Sequence, residues 1–376
     1  RPATRPRSAT CWRGPERGAV PADRTEVTEI VTGLATYGAP DLAVALGDPP
    51  PSFGGVGAER WRRLRELERA GRYRAEFAAA WANGRCFLAA RDGLRGRPPA
   101  VVEWKGPQRP PGVDPVPADL RVDHVFLVSC KYNSRIQLNA SPRAIFGPGS
   151  EDEGRGDWYG EVAAAEQQAL YEIVRFETGL VGALPDRVEA LSANQRRALA
   201  SALGRGAWTS PAAAEAYAAL STAVAEGSVR RWRASLRSER TREATLWRFL
   251  RVAAATYFVL GSDGRRMVRL RVGSPWDWRQ SFRLRRFDVE AVASRQPVVR
   301  WAAAVDDRER GDRRTVEGHI EVRWSHGRFG GLPEAKVYLD TPHHLVPGYW
   351  PLGAAADDDA PAGPPAPATG PLQTGS

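Results

Sequence analysis

The chain has 376 residues, a formal net charge of +10 and an isoelectric point near 10.0. Its length favours two domains or one core with attachments, and a hydrophobic fraction of 42% is enough to bury a core. No apolar run approaches the ~20 residues that span a bilayer, so membrane, collagen-like and wholly disordered classes are excluded. The basic excess is compatible with a polyanionic partner such as nucleic acid.

The three cysteines are odd in number and widely spaced, at Cys11, Cys86 and Cys130. This pattern excludes a disulfide framework and a Cys-x-x-Cys zinc site, and it favours a reducing compartment. The first residues, Arg1–Arg7, have no apolar segment behind their charges, so no secretory signal is predicted. A cytoplasmic location is therefore expected, and the oligomeric state is left open.

The N-terminal third divides into an extension and a helix. Residues 1–56 are rich in Pro, Arg and Gly, and we predict a mostly extended or loosely packed extension. Asn83-Gly84 is then interpreted as the stop of a helix over about residues 58–81. That helix is predicted from apolar residues at helical spacing, namely Trp61, Leu64, Leu67, Tyr73, Phe77 and Trp81.

Short strands and a second helix follow, and with the first helix they form a predicted α+β core over residues 57–183. The apolar stripe of residues 161–176 predicts the second helix. A helix, several strands and a helix can surround a small mixed sheet. The predicted strands cover residues 86–90, 101–105, 120–122 and 125–132.

The remaining chain is predicted as a helical segment over residues 184–254, a β region over 255–350 and a disordered tail over 351–376. The β region is expected to be mainly antiparallel, because Gly-, Asp- and Arg-rich turns separate its strands. Its predicted strands cover residues 256–260, 267–272, 282–287, 298–305, 315–324 and 334–340.

Lysine is scarce, since only Lys105, Lys131 and Lys336 stand against 51 arginines. Each lies on a predicted strand, so the residue two positions earlier faces the same side. That residue is Glu103 in the first frame and an acid again in the third. A carboxylate beside a compact ammonium suits a divalent metal and an attacking water, whereas an exposed pair of this kind is more often a solvated cross-strand pair. We interpret the Lys336 frame in that structural way.

A predicted hairpin surrounds Lys131. Asp119 opens one strand, Asp123-His124 forms the turn, and the returning strand carries Ser129 and Lys131. Antiparallel pairing returns Lys131 to the level of Asp119. Because one or two acids with waters and phosphate oxygens usually hold Mg²⁺, Asp119 is a candidate metal ligand.

This hairpin resembles the active-site hairpin of the PD-(D/E)XK (restriction-endonuclease-like) nuclease superfamily. There an Asp opens one strand, and an acid-x-Lys closes the next, often as Glu-Cys-Lys-Tyr. Downstream, Gln167-Gln-Ala-Leu-Tyr171 lies on a predicted helix and is similar to the Gln-x-x-x-Tyr motif of the RecB/Cas4-like branch. The resemblance covers about residues 58–180. It implies a fold with a mixed sheet flanked by helices, and an enzyme that hydrolyses DNA with Mg²⁺ or Mn²⁺. The helix upstream, where the superfamily often keeps a further acid, carries Glu66, Glu68 and Glu76.

The resemblance also implies roles for individual residues. Asp119 and Glu103 would hold the metal, and Lys131 would orient the attacking water. The substrate would be contacted by Gln167, Tyr171 and Lys105.

The sequence departs from the family pattern at Ser129, which stands where an acid is expected. Either Glu103 replaces that acid, or the metal site is weakened or lost. Three interpretations stay open: a magnesium-dependent deoxyribonuclease, a catalytically inactive nucleic-acid-binding or interaction protein on a nuclease scaffold, and a different assembly of the strands in which no shared site exists. A second register pairs Asp92 with Glu103 and Lys105 and keeps every acid, but residues 93–99 are a poor strand between them.

Overall fold

The computed structural model describes residues 20–106, 116–132, 136–147, 156–204, 206–208, 210–263, 266–292, 295–325 and 327–353. The described chain is a mixed α+β structure, as the sequence predicts. None of the described helices has the length and apolar character needed to cross a membrane. The predicted tail lies, from residue 354 onward, outside the described residues.

Helices and strands alternate in blocks along the described chain. Helices α1 to α11 span Val20–Ala35, Leu42–Gly47, Ala58–Arg69, Arg74–Ala89, Pro142–Phe146, Trp158–Val162, Ala164–Glu177, Ala193–Leu203, Pro211–Ser235, Glu239–Phe249 and Pro275–Ser281. Short 3₁₀ turns cover Val188–Ala190 and His343–Leu345. Strands β1 to β12 span Phe53–Gly54, Val102–Trp104, Leu120–Val122, Phe126–Tyr132, Ile136–Ala140, Tyr257–Ser262, Met267–Val272, Phe282–Val292, Val298–Asp307, Asp312–Arg323, Glu334–Leu339 and Tyr349–Pro351.

Seven strands form a mixed sheet, called sheet A here, in the order β1-β2-β3-β4-β6-β7-β12. Strands β2, β3 and β4 are antiparallel, whereas β4 and β6 run parallel with Val128 opposite Phe258. One face is covered by α1 and α4, whose apolar side chains share a core with Val102, Leu120 and Val128.

Five strands form sheet B, which is antiparallel throughout and has the order β5-β11-β10-β9-β8. Its inner face packs on the helices of the second core, where Trp232 of α9 contacts Phe287 of β8 at 5.7 Å between ring centroids. The mainly antiparallel C-terminal sheet is thereby confirmed. Two of its expected strands, β6 and β7, belong instead to sheet A. The domain boundary expected at 254/255 would therefore separate β6 and β7 from β1 to β4, with which they form one sheet.

The N-terminal extension is more ordered than predicted. Helix α1 places Val27, Ile30, Val31 and Leu34 at helical spacing, and all four are fully buried. The prediction of an extended segment is therefore wrong for the described part of residues 20–56, because a Pro- and Arg-rich composition masks this stripe. Residues 1–19 lie outside the described chain.

The expected helix stop at Asn83-Gly84 is also wrong, and the helix predicted over 58–81 is two helices. The break comes earlier, where Tyr73 adopts a positive φ of 57°. Helix α4 then continues to Ala89, so residues predicted as the strand 86–90 are its last turns. Gly84 allows α1 to approach closely, because a Cβ there would lie 2.2 Å from the Thr32 carbonyl oxygen.

Candidate functional site

The hairpin predicted around Lys131 is present. Strands β3 and β4 pair Leu120 with Val128, which places Asp119 opposite Ser129. The turn residues Asp123 and His124 have φ of 49° and 61°, and positive φ at both central positions is the mark of a tight two-residue hairpin turn.

Candidate residues from three strands lie on the face of sheet A that points away from α1 and α4, which we call the open face. Its β4 part is covered, because Ser129 is fully buried and Leu127 packs against the second core. On β2, β3 and β4 the alternate residues are buried against α1 and α4, so the residues between them point to the opposite side. The ladder continues beyond β2, since the Lys105 amide donates to the Asp119 carbonyl at 2.9 Å. The residues thus brought to the open face are Glu103, Lys105, Asp119, Arg121, Ser129 and Lys131.

Asp119 is held inside the hairpin by two donors. Its Oδ2 accepts a hydrogen bond from the Cys130 amide at 2.7 Å and another from Ser129 Oγ at 3.3 Å. Ser129 is fully buried. The residue at the family's acid position is therefore a hydroxyl donor that binds Asp119, where a second carboxylate would repel it.

Glu103 has partners of its own on the open face. It accepts two hydrogen bonds from Arg121, at 2.6 and 2.8 Å, and lies 3.1 Å from His124 Nδ1. The bonds from Arg121 hold the pKa of Glu103 below its usual range. In the β2–β3 register Glu103 is opposite Arg121, which is two residues along β3 from Asp119. Its charge is thus already compensated.

Lys131 lines a small basic pocket between sheet A and the segments that follow α10 and β11. The Lys131 side chain makes no hydrogen bond or ion pair with the described residues, whereas its backbone pairs with β6. The cavity measures about 10 Å³, which is roughly the space of one water molecule. Burial raises the pKa of two lining phenols, Tyr257 and Tyr349, so they stay neutral. No carboxylate belongs to the lining, which consists of Pro117, Ser129, Lys131, Gln137, Arg251, Tyr257, Val259, His343 and Tyr349.

The two carboxylates that the resemblance assigns to a divalent metal already have partners in this structure. Mg²⁺ needs carboxylate oxygens with free lone pairs, but Asp119 Oδ2 accepts two hydrogen bonds and Glu103 is paired with Arg121. Across the described residues, no group of three or more His, Cys, Asp or Glu side chains is placed to hold a metal. The lysine side of the site is cationic and suits an anion instead.

Gln167 and Tyr171 lie in the second core. The Gln167 amide donates to Asp157 at 3.0 Å, and the Tyr171 hydroxyl donates to the Pro185 carbonyl at 2.5 Å. Both side chains are buried. The structure gives them a packing role that fixes α7, where the resemblance implied substrate contact.

The other candidate acids lie elsewhere. Glu76 pairs with Arg24 at 2.9 Å on the helical side of sheet A. Asp92 accepts the Gly353 amide at 3.2 Å, and turns replace a strand between Asp92 and Glu103. The second register is therefore wrong, and the hairpin with Asp119 is the one that forms.

Three pocket residues, Gln137, Arg251 and His343, are not among the site residues predicted from the sequence. Gln137 is the second residue of β5, which is an unpredicted strand, and its amide nitrogen lies 3.3 Å from His343 Nε2. Arg251 follows α10 with a positive φ of 54°. Only the clustering of histidines near the C-terminus gave any signal for this group.

Comparisons of the chain with family models, with curated proteins and with solved structures find no match.

Proposed function

We propose that the chain is a nucleic-acid-binding protein on a nuclease-like scaffold, which holds backbone phosphate at the open face beside Lys131. The observation that carries this proposal is the chemistry around Lys131. Its pocket combines Lys131, Arg251 and His343 with no carboxylate in the described lining. A phosphate oxygen at the mouth of this pocket would be attracted by the positive charges of Lys131 and Arg251.

The size of the pocket favours a macromolecule over a small metabolite. A cavity of about 10 Å³ admits one phosphate oxygen at its mouth, whereas a nucleotide needs several hundred Å³. A strand lying across the open face would also reach Lys105 and Arg121. The net charge of +10 supports attraction to a polyanion.

A second candidate function is the metal-dependent hydrolysis of DNA phosphodiesters by a PD-(D/E)XK-type mechanism. The specific observation in its favour is that Asp119, Glu103 and Lys131 share one face of three neighbouring strands in a mixed sheet flanked by helices. It requires Glu103 to release Arg121 before a metal ion can bind.

One experiment tests both functions. The full chain is mixed with labelled single- and double-stranded oligonucleotides, and affinity is measured between about 50 and 200 mM salt. Lys131→Ala should weaken binding roughly fivefold and lower the salt slope by about 0.7–0.9, as expected for one lost phosphate contact. Lys336→Ala, which removes a lysine of similar, intermediate exposure from a strand of sheet B, is the matched control and should bind like wild type.

Cleavage is followed in the same samples with Mg²⁺ or Mn²⁺. Binding without cleavage supports the first function. Metal-dependent cleavage that Lys131→Ala abolishes supports the second. If wild type neither binds nor cleaves, or if Lys131→Ala and Lys336→Ala behave alike, the site is wrongly assigned.

A further inference from the structure

A second basic region lies along β8, the edge strand of sheet B. Here the start of α10 approaches β8 and encloses a pocket of about 220 Å³. We call this pocket the arginine groove. Its charged lining is four guanidinium groups against one carboxylate, namely Arg242, Arg283, Arg285, Arg286 and Glu239.

A β-bulge creates this concentration of charge. The β8–β9 register shifts between Leu284 and Arg286, so Arg285 is an extra residue. Without the bulge, neighbouring residues would alternate between the two faces. With it, Arg285 and Arg286 are both exposed while Leu284 and Phe287 stay buried. Bulges characteristically re-aim side chains in this way near binding sites.

Two of the four arginines remain available to a ligand. Arg285 is bonded to Asp306, and Arg286 pairs with Asp288 at 2.6 Å. Arg242 donates only to the Ser238 carbonyl, at 3.3 Å, and Arg283 makes no ion pair with any described residue. The groove thus presents an excess of guanidinium donors, whose planar forks match phosphate oxygens.

The groove continues into a wider depression of about 920 Å³ that shares Arg242, Arg286 and Phe287. Its far end carries Glu317 and Asp340, which repel an anion. The positive section is therefore confined to the part between α10 and the bulge.

We propose that the arginine groove binds the phosphate backbone of a nucleic-acid strand, as a second contact besides the open face. This inference rests on the proposed function. An acidic peptide is the competing ligand, and an extended peptide would add to the free edge of β8 by main-chain hydrogen bonds. Part of that edge is already occupied, because Arg233 of α9 donates to the Val289 carbonyl at 2.7 Å. Side-chain contacts to phosphate do not need the edge.

The test is a double variant, Arg242→Ala with Arg283→Ala, in the full chain. We expect oligonucleotide affinity at about 100 mM salt to fall roughly 10- to 30-fold and the salt slope to fall by about 1.5. Arg62→Ala, which removes an exposed arginine from α3 on the far side of sheet A, should change affinity less than twofold. Unchanged urea midpoints would show that the variants are folded.

The outcomes separate the groove from the proposed function. If the double variant binds like wild type while Lys131→Ala loses affinity, the groove is refuted and the proposed function stands. If the double variant loses affinity and Lys131→Ala does not, the groove stands and the open face is the wrong site. If polyglutamate competes as well as an equally charged oligonucleotide, the groove is a protein-binding surface and the inference is overturned.

Discussion

The hydrogen bonds of Asp119 predict that this carboxylate is a structural part of the hairpin. Asp119→Ala removes the acceptor of the Cys130 amide and of the buried Ser129 hydroxyl. A hydrogen bond to a charged group contributes about 1.5–3 kcal/mol, and a buried donor left without an acceptor costs about 1–3 kcal/mol. We therefore expect a loss of about 2–4 kcal/mol in the free energy of unfolding. Asp119→Asn keeps one carbonyl acceptor and should cost about 1 kcal/mol.

Urea unfolding followed by tryptophan fluorescence measures this loss, provided that the m-value is unchanged between variants. Glu103→Ala is the control on the same face, because an exposed ion pair contributes about 0–1 kcal/mol. The reasoning is refuted if Asp119→Ala is as stable as wild type, or if the two alanine variants lose equal stability. A nuclease in which Asp119 serves only the metal would show the first result.

Two further predictions concern the other face of sheet A. Gly84→Ala should lower the free energy of unfolding by about 1–3 kcal/mol, because the new methyl carbon would lie 2.2 Å from the Thr32 carbonyl oxygen. Gly182→Ala is the control: its methyl carbon meets no atom within 4 Å, so this variant should unfold like wild type in the same urea assay. Burial raises the pKa of the Cys130 thiol well above its ordinary value, so mass mapping should find Cys130 modified by iodoacetamide at pH 8 much more slowly in the native protein than in urea. Equal modification in both states would contradict this placement.

The sequence predicts the local structure of the site better than its surroundings. The Asp119–Lys131 hairpin was predictable, because its turn residues and its alternation of apolar and polar residues are contiguous. The continuation of α4 through Asn83-Gly84 was not predictable. The Asn83 side chain forms hydrogen bonds with Gly261 and Arg269, which are distant in sequence. Helix α1 carries an apolar stripe that is visible in the sequence, but the prediction for this segment followed its Pro-, Arg- and Gly-rich composition instead.

The chemistry around Lys131 was unpredictable for the same reason. Arg251 reaches the pocket because β6, which follows it, lies parallel to β4, and His343 reaches it because the chain returns from β11 of sheet B to β12 of sheet A. Parallel pairing depends on long crossovers that local patterns do not specify. That Ser129 stands where the resembled family has an acid was visible in the sequence, but its hydrogen bond to Asp119 required the structure.

The parallel pairing of β4 with β6 also has a consequence for how the chain is made. The ribosome must add the 124 residues between Tyr132 and Tyr257 before β4 meets its partner. At 5–20 residues per second that interval is roughly 6–25 s. During it the outer edge of β4 is an unpaired strand, which is a template for association with other chains. A chain cut at residue 254 would keep that edge exposed permanently. A fragment that contains β4 is therefore expected to stay monodisperse only if it also contains the other strands of sheet A.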